Sequence, residues 1–127
     1  MSVTDFGGLR AHDATSGIGY GVGAGSTVTQ QTDKGTGVTI NAASGQITLN
    51  NAALTTAPVA GFVVTNSAVA ATDTVVVNAV GNNVTNYVVG VGKVAAGSFT
   101  VFVQNISGNS RSDALVVNFA VINGSSS

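Results

Sequence analysis

From Ser26 to Ile122 the chain repeats one unit: a short run rich in Val, Ile, Thr and Phe, then two or three residues that break it. β-Branched and aromatic side chains pack well on a pleated surface, whereas Gly, Asn, Asp and Ser accept turn conformations. The runs STVTQQT (26–32), GVTIN (37–41), GQITLN (45–50), GFVVTN (61–66), DTVVVNAV (73–80), VTNYVVGV (84–91), SFTVFVQN (98–105) and DALVVNFAVI (113–122) therefore read as strands. Between them lie Asp33-Lys34-Gly35, Ala43-Ser44-Gly45, Gly81-Asn82-Asn83, Ala96-Gly97 and Ser107-Gly108-Asn109. About eight strands at this spacing predict an all-β domain over residues 26–124, an antiparallel, jelly-roll-like β-sandwich, with a flexible tail at 125–127. The stretches AALTTA (52–57) and NSAVAATD (66–73) are too short to be more than turns.

The longest regular alternations fall in the last two runs. Phe99, Val101 and Val103 on one, and Leu115, Val117, Phe119 and Val121 on the other, are expected to face inward on adjacent strands. In the last run the opposite face is also mostly apolar, carrying Val116, Asn118, Ala120 and Ile122. A sandwich strand ordinarily wets one face. This one is expected to be covered on both, either by another part of the chain or by an identical subunit, and Val75, Val76 and Val77 are two-sided in the same way.

Composition sharpens the point, because 44% of residues are hydrophobic and only 7% are charged, against about 25% charged in an ordinary domain. Surface polarity must come from Thr, Asn, Ser and Gly. Four basic and five acidic residues, a formal net charge of -1, supply no field for nucleic acid. Cysteine is absent, so there is no disulfide framework or thiolate site. Residues 35–72 carry no charge, yet Thr, Asn, Ser and Gln interrupt them too often for a membrane helix. At 6% aromatic with no Trp, the chain also lacks the aromatic girdles of a membrane barrel, so no membrane partner is expected. The opening MSVTDFGGLRAHD begins acidic and has no apolar stretch of signal-peptide length.

Residues 1–25 differ in texture and end in GIGYGVGAG, with glycine at every second position from Gly17 to Gly25. Such a segment loses much backbone entropy on ordering. If extended, it projects Ile18, Tyr20 and Val22 from one side. It reads as an extended glycine-rich arm that docks on a neighbour, the alternative being a flexible linker.

Catalytic constellations are not evident. The single His12 has no second His, no Cys and no Glu to complete a metal site. The carboxylates Asp5, Asp13, Asp33, Asp73 and Asp113 stand at loops and strand starts, where Asp caps backbone amides. Neither GSFT (97–100) nor ISGN (106–109) makes a nucleophile elbow, and the glycine-rich stretch does not fit a nucleotide-binding fingerprint. No enzyme activity and no cofactor are expected. Asn83-Val-Thr85, Asn105-Ile-Ser107 and Asn123-Gly-Ser125 match the glycosylation acceptor pattern, which an Asn- and Thr-rich chain produces by chance.

The segments GIGYGVGAGSTVTQQTDKGTGVTINAASGQITLNNAAL, VVTNSAVAATDTVVVN and VAAGSFTVFVQNISGNSRSDALVVNFAVI, within residues 17–122, resemble small β-rich structural proteins encoded with the capsid genes of tailed bacteriophages. The resemblance implies a capsid decoration, or cement, protein that binds the outer capsid surface of the virion as a homotrimer, its partners being itself and the major capsid protein. On that reading Phe6, Leu9, Ile18, Tyr20 and Val22 are apolar anchors of the arm to the capsid and Arg10 a polar contact, while Val116, Asn118, Ala120 and Ile122 form the trimer interface. A trimeric phage fibre or receptor-binding module is the alternative; its conspicuous contact residues would be Tyr87, Lys93 and Arg111.

Overall fold

The computed structural model describes residues 13–15 and 17–126. Within them the chain forms eight strands: β1 (Gly25–Thr29), β2 (Val38–Thr39), β3 (Ser44–Thr48), β4 (Val59–Thr65), β5 (Thr74–Val80), β6 (Tyr87–Ala95), β7 (Ser98–Asn105) and β8 (Val116–Ile122). They build two four-stranded sheets, β1-β3-β8-β5 facing β2-β4-β7-β6. The expected all-β sandwich is the observed architecture.

Alternation sets which side of each strand is buried. Along β7 and β8 every second residue points between the sheets, and Phe99, Val101, Val103, Leu115 just before β8, Val117, Phe119 and Val121 are all buried as expected. The two strands are not adjacent, however: β7 pairs with β4 and β6 and β8 with β3 and β5, so the two apolar rows meet across the core from opposite sheets. They join Ile47, Leu49, Phe62, Val64 and Val75 in one core, where the Phe99 and Phe119 rings meet tilted at 53° with centroids 5.5 Å apart. An inclined aromatic pair of this kind sets the positive ring edge against a negative face.

Pairing is less uniform than the sequence suggests. The pairs β3/β8, β4/β7, β5/β8 and β6/β7 are antiparallel, but β1/β3 and β2/β4 are parallel. The chain passes from one sheet to the other at each step from β1 to β4, so alternate strands return to the same sheet in the same direction. The facing sheet supplies the crossover that parallel neighbours require.

Strand ends move where a polar side chain captures the backbone. The run expected over 26–32 stops at Thr29 because Gln30 turns inward: its Nε2 donates to the Lys34 and Thr36 carbonyls, and its Oε1 accepts from the Asn50 amide. Lys34 is buried beside it, with Nζ donating to the Asn50 and Ala52 carbonyls at 2.7 and 2.8 Å. The segment 84–86, expected as strand, is a short 3-10 turn, and β6 begins only at Tyr87. Asn66 and Asn105, both fully buried, anchor loops at the two ends of the sandwich. Asn66 bonds both backbone groups of Ala42, and Asn105 binds Leu54, Ser107 and Asn109.

Candidate interaction surface

The arm does not stay extended. Ala24 donates to the Gly21 carbonyl across a turn, and Gly23 has φ +96, a left-handed conformation that glycine adopts without steric cost. The turn rotates Val22 away from Ile18 and Tyr20, leaving it fully exposed. The expectation that all three project from one side is therefore corrected. Ile18 and Tyr20 instead lie over the outer face of the first sheet, where the Tyr20 hydroxyl donates to the Val121 carbonyl. Phe6, Leu9 and Arg10 lie outside the described residues.

Ile18 and Tyr20 border a cleft of about 400 Å³ whose other walls include Val76, Ala120 and Ile122. Ile18 is 61% exposed, Tyr20 47%, Val76 48% and Ile122 56%. Two surfaces that the sequence separates, the arm and the even face of the last strand, are thus one apolar patch. Beside it the sheet becomes polar. Asn118 stands between Gln46 of β3 and Asn78 of β5, and Gln46 Nε2 donates to its Oδ1 at 3.0 Å. The Asn118 carbonyl oxygen therefore has its partner within the chain and needs none from a neighbour. Val116, at the far end of β8, is half-buried against Thr48 and Val80.

A second apolar face went unread in the sequence. On the outside of the other sheet Val59, Val63 and Val88 are exposed, and Phe102 lies between Gly61 and Gly90 in the cross-strand register. Its ring covers Gly90, where any Cβ would strike the ring atoms. Alternation in β7 was the available signal, since Phe102 is the one aromatic on its even face.

Most charged groups among the described residues are tied to structure. Asp113 accepts from the Tyr87 hydroxyl at 2.7 Å, Arg111 Nε at 2.8 Å and Asn83 Nδ2 at 2.9 Å. These bonds, led by that from Tyr87, hold its carboxyl below the usual carboxylate range. Tyr87 is pushed up, first by burial and then by Asp113. Burial pushes Lys34 down, partly offset by attraction to Asp113. Asp33 caps its own turn through the Gly35 amide and the Thr36 hydroxyl. Asp73 accepts from the amides of Ala70 and Gly124, which lower its pKa in that order. Asp73 and Asp113 adjoin opposite ends of β8, roughly 20 Å apart at 3.3 Å per residue. No group of three or more His, Cys, Asp and Glu residues suited to a metal exists among the described residues. Of the glycosylation patterns, that at Asn105 is sealed in the core.

Both shifted carboxylates have folded pKa values below their unfolded ones, so the stability they supply is complete above about pH 4 and is lost as pH falls through the folded values. Thermal midpoints are expected to hold steady from neutral pH to about 5 and to fall below about 4. An acid limb that Asp73→Asn and Asp113→Asn together leave unchanged would assign the loss to other groups.

An apolar patch on a weakly charged sandwich is the feature most suited to contact with another macromolecule. Compared with known proteins, the chain matches no family model, no curated protein and no solved structure.

Proposed function

We propose that this chain is a non-enzymatic capsid decoration protein of a tailed bacteriophage, acting as a homotrimer on the outer capsid surface. The observation that carries the reading is the apolar patch of exposed Ile18, Tyr20, Val76 and Ile122 around half-buried Ala120, on a chain with 7% charged residues. The resemblance of residues 17–122 to capsid-associated proteins supplies the setting. Such a protein works by adding buried area across seams between capsid subunits. A trimer repeats each contact at high effective concentration, so weak individual contacts suffice.

Merging of the arm with β8 changes how the work is divided. Ile18 and Tyr20 join Ala120 and Ile122 in one contact, while Val22 remains for a second, with the proposed anchors Phe6, Leu9 and Arg10 lying outside the described residues. Of the residues a fibre would use, Tyr87 and Arg111 are bound to Asp113, and Lys93 alone is exposed. Light scattering on the purified chain is expected to give the mass of a trimer, and the protein is expected to co-sediment with undecorated capsids. Ile122→Asp should abolish the trimer by placing a charge in the patch. A monomer at micromolar concentration that also fails to bind capsids would overturn the proposal.

A further inference from the structure

The chain leaves β8 through Asn123 and Gly124, the one Asn-Gly step in the sequence. Both residues are held by one carboxylate. Asp73 Oδ1 accepts from the Gly124 amide at 3.1 Å, and its Oδ2, already bonded to the Ala70 amide at 2.8 Å, faces Asn123 Nδ2 at 3.4 Å. The Thr72 hydroxyl reaches the Gly124 carbonyl at 3.5 Å. Gly124 packs so closely on the Thr72 carbonyl that any Cβ would collide with it. The packing therefore demands glycine at 124, and glycine after asparagine is the arrangement in which a free chain most readily cyclises.

We propose that Asn123 is a deamidation site gated by Asp73, independently of the decoration reading. In the reaction the Gly124 nitrogen gives up its proton and attacks Asn123 Cγ, forming the N–Cγ bond of a succinimide. The Cγ–Nδ2 bond breaks, and Nδ2 takes a proton and leaves as ammonia. Water then opens the ring to an aspartyl or isoaspartyl residue. In the folded chain the Gly124 proton is engaged by Asp73 Oδ1 and the Gly124 carbonyl is met by the Thr72 hydroxyl, so the peptide unit that must turn its nitrogen onto Cγ is held at both ends. The native latch holds back the reaction.

Once deamidation occurs, it is self-reinforcing. A carboxylate at 123 replaces the donor facing Asp73 Oδ2 with a like charge, which disfavours the latched state. An isoaspartyl product also lengthens the backbone by one atom, so Gly124 no longer registers with Asp73. The tail is released in one direction only.

The full chain, incubated at mildly alkaline pH in buffer and in denaturing urea, is followed by peptide mapping for conversion of Asn123 to acid. The native protein is expected to react about tenfold or more slowly than the unfolded one, the factor implied by holding one charge-assisted hydrogen bond. Asp73→Asn, with folding checked by thermal melt, should bring the native rate toward the unfolded rate. Asn123→Asp leaves Asp73 in place and should raise hydrogen exchange at the Gly124 amide. Equal native and unfolded rates would overturn the proposal, as would unchanged Gly124 protection in Asn123→Asp.

Discussion

Phe119→Ala is expected to destabilise the fold by about 3 to 5 kcal/mol, the range for emptying a buried phenylalanine site. The ring is 4% exposed, sits on the central strand β8 and contacts Phe99. Phe99 and the flanking residues Val101, Val117 and Val121 are each buried on paired strands whose ladders resist collapse into the cavity. Chemical denaturation should show a lowered midpoint at unchanged slope. A midpoint equal to that of the wild type would mean that the two faces of β8 are reversed.

Asn105→Ala is expected to cost a similar amount by a different route. Asn105 is fully buried; its Nδ2 donates to the Leu54 and Asn109 carbonyls at 2.8 and 2.6 Å, and its Oδ1 accepts from the Ser107 amide and hydroxyl. Truncation strands those groups, and each unsatisfied buried partner costs about 1 to 3 kcal/mol. Loss is expected near 3 kcal/mol or more, because solvent reaches some of the loop and discounts the sum. Asn105→Asp would retain the acceptor and lose the two donations, so it should not rescue. A variant as stable as the wild type would show that the β7–β8 loop closes without this residue.

How far these features could be read from the sequence follows from their range along the chain. Alternation in SFTVFVQN and LVVNFAVI reports a local property, the pleat, and it predicted every inward apolar residue of β7 and β8. Partner choice is not local. Nothing in STVT says that it pairs in parallel with SGQIT, since either direction buries the same side chains. The Tyr20 contact spans a separation of 101 residues, and the turn that removes Val22 depends on Gly23 adopting a left-handed conformation that glycine allows without requiring. Gln30, Lys34 and Asn105 are polar types that ordinarily sit outside, so their burial could not be seen until the loops that feed them carbonyls were in place.

β8 is the last strand among the described residues but lies second from the edge of its sheet, between β3 and β5. A ribosome therefore releases the paired β1 and β3, and β5, long before the strand that joins β3 to β5 exists. Until Ile122 emerges, Ile47 and Val75 have no ladder between them, and half of the sandwich is an open set of apolar ribbons. Only β6 and β7 form an immediate hairpin that can wait in ordered form. Closure of this sheet is thus confined to the period after β8 has emerged, with the slow rates of non-local β topology. A nascent chain stalled before residue 116 should be held by chaperones, and premature termination there should yield aggregate rather than a smaller domain.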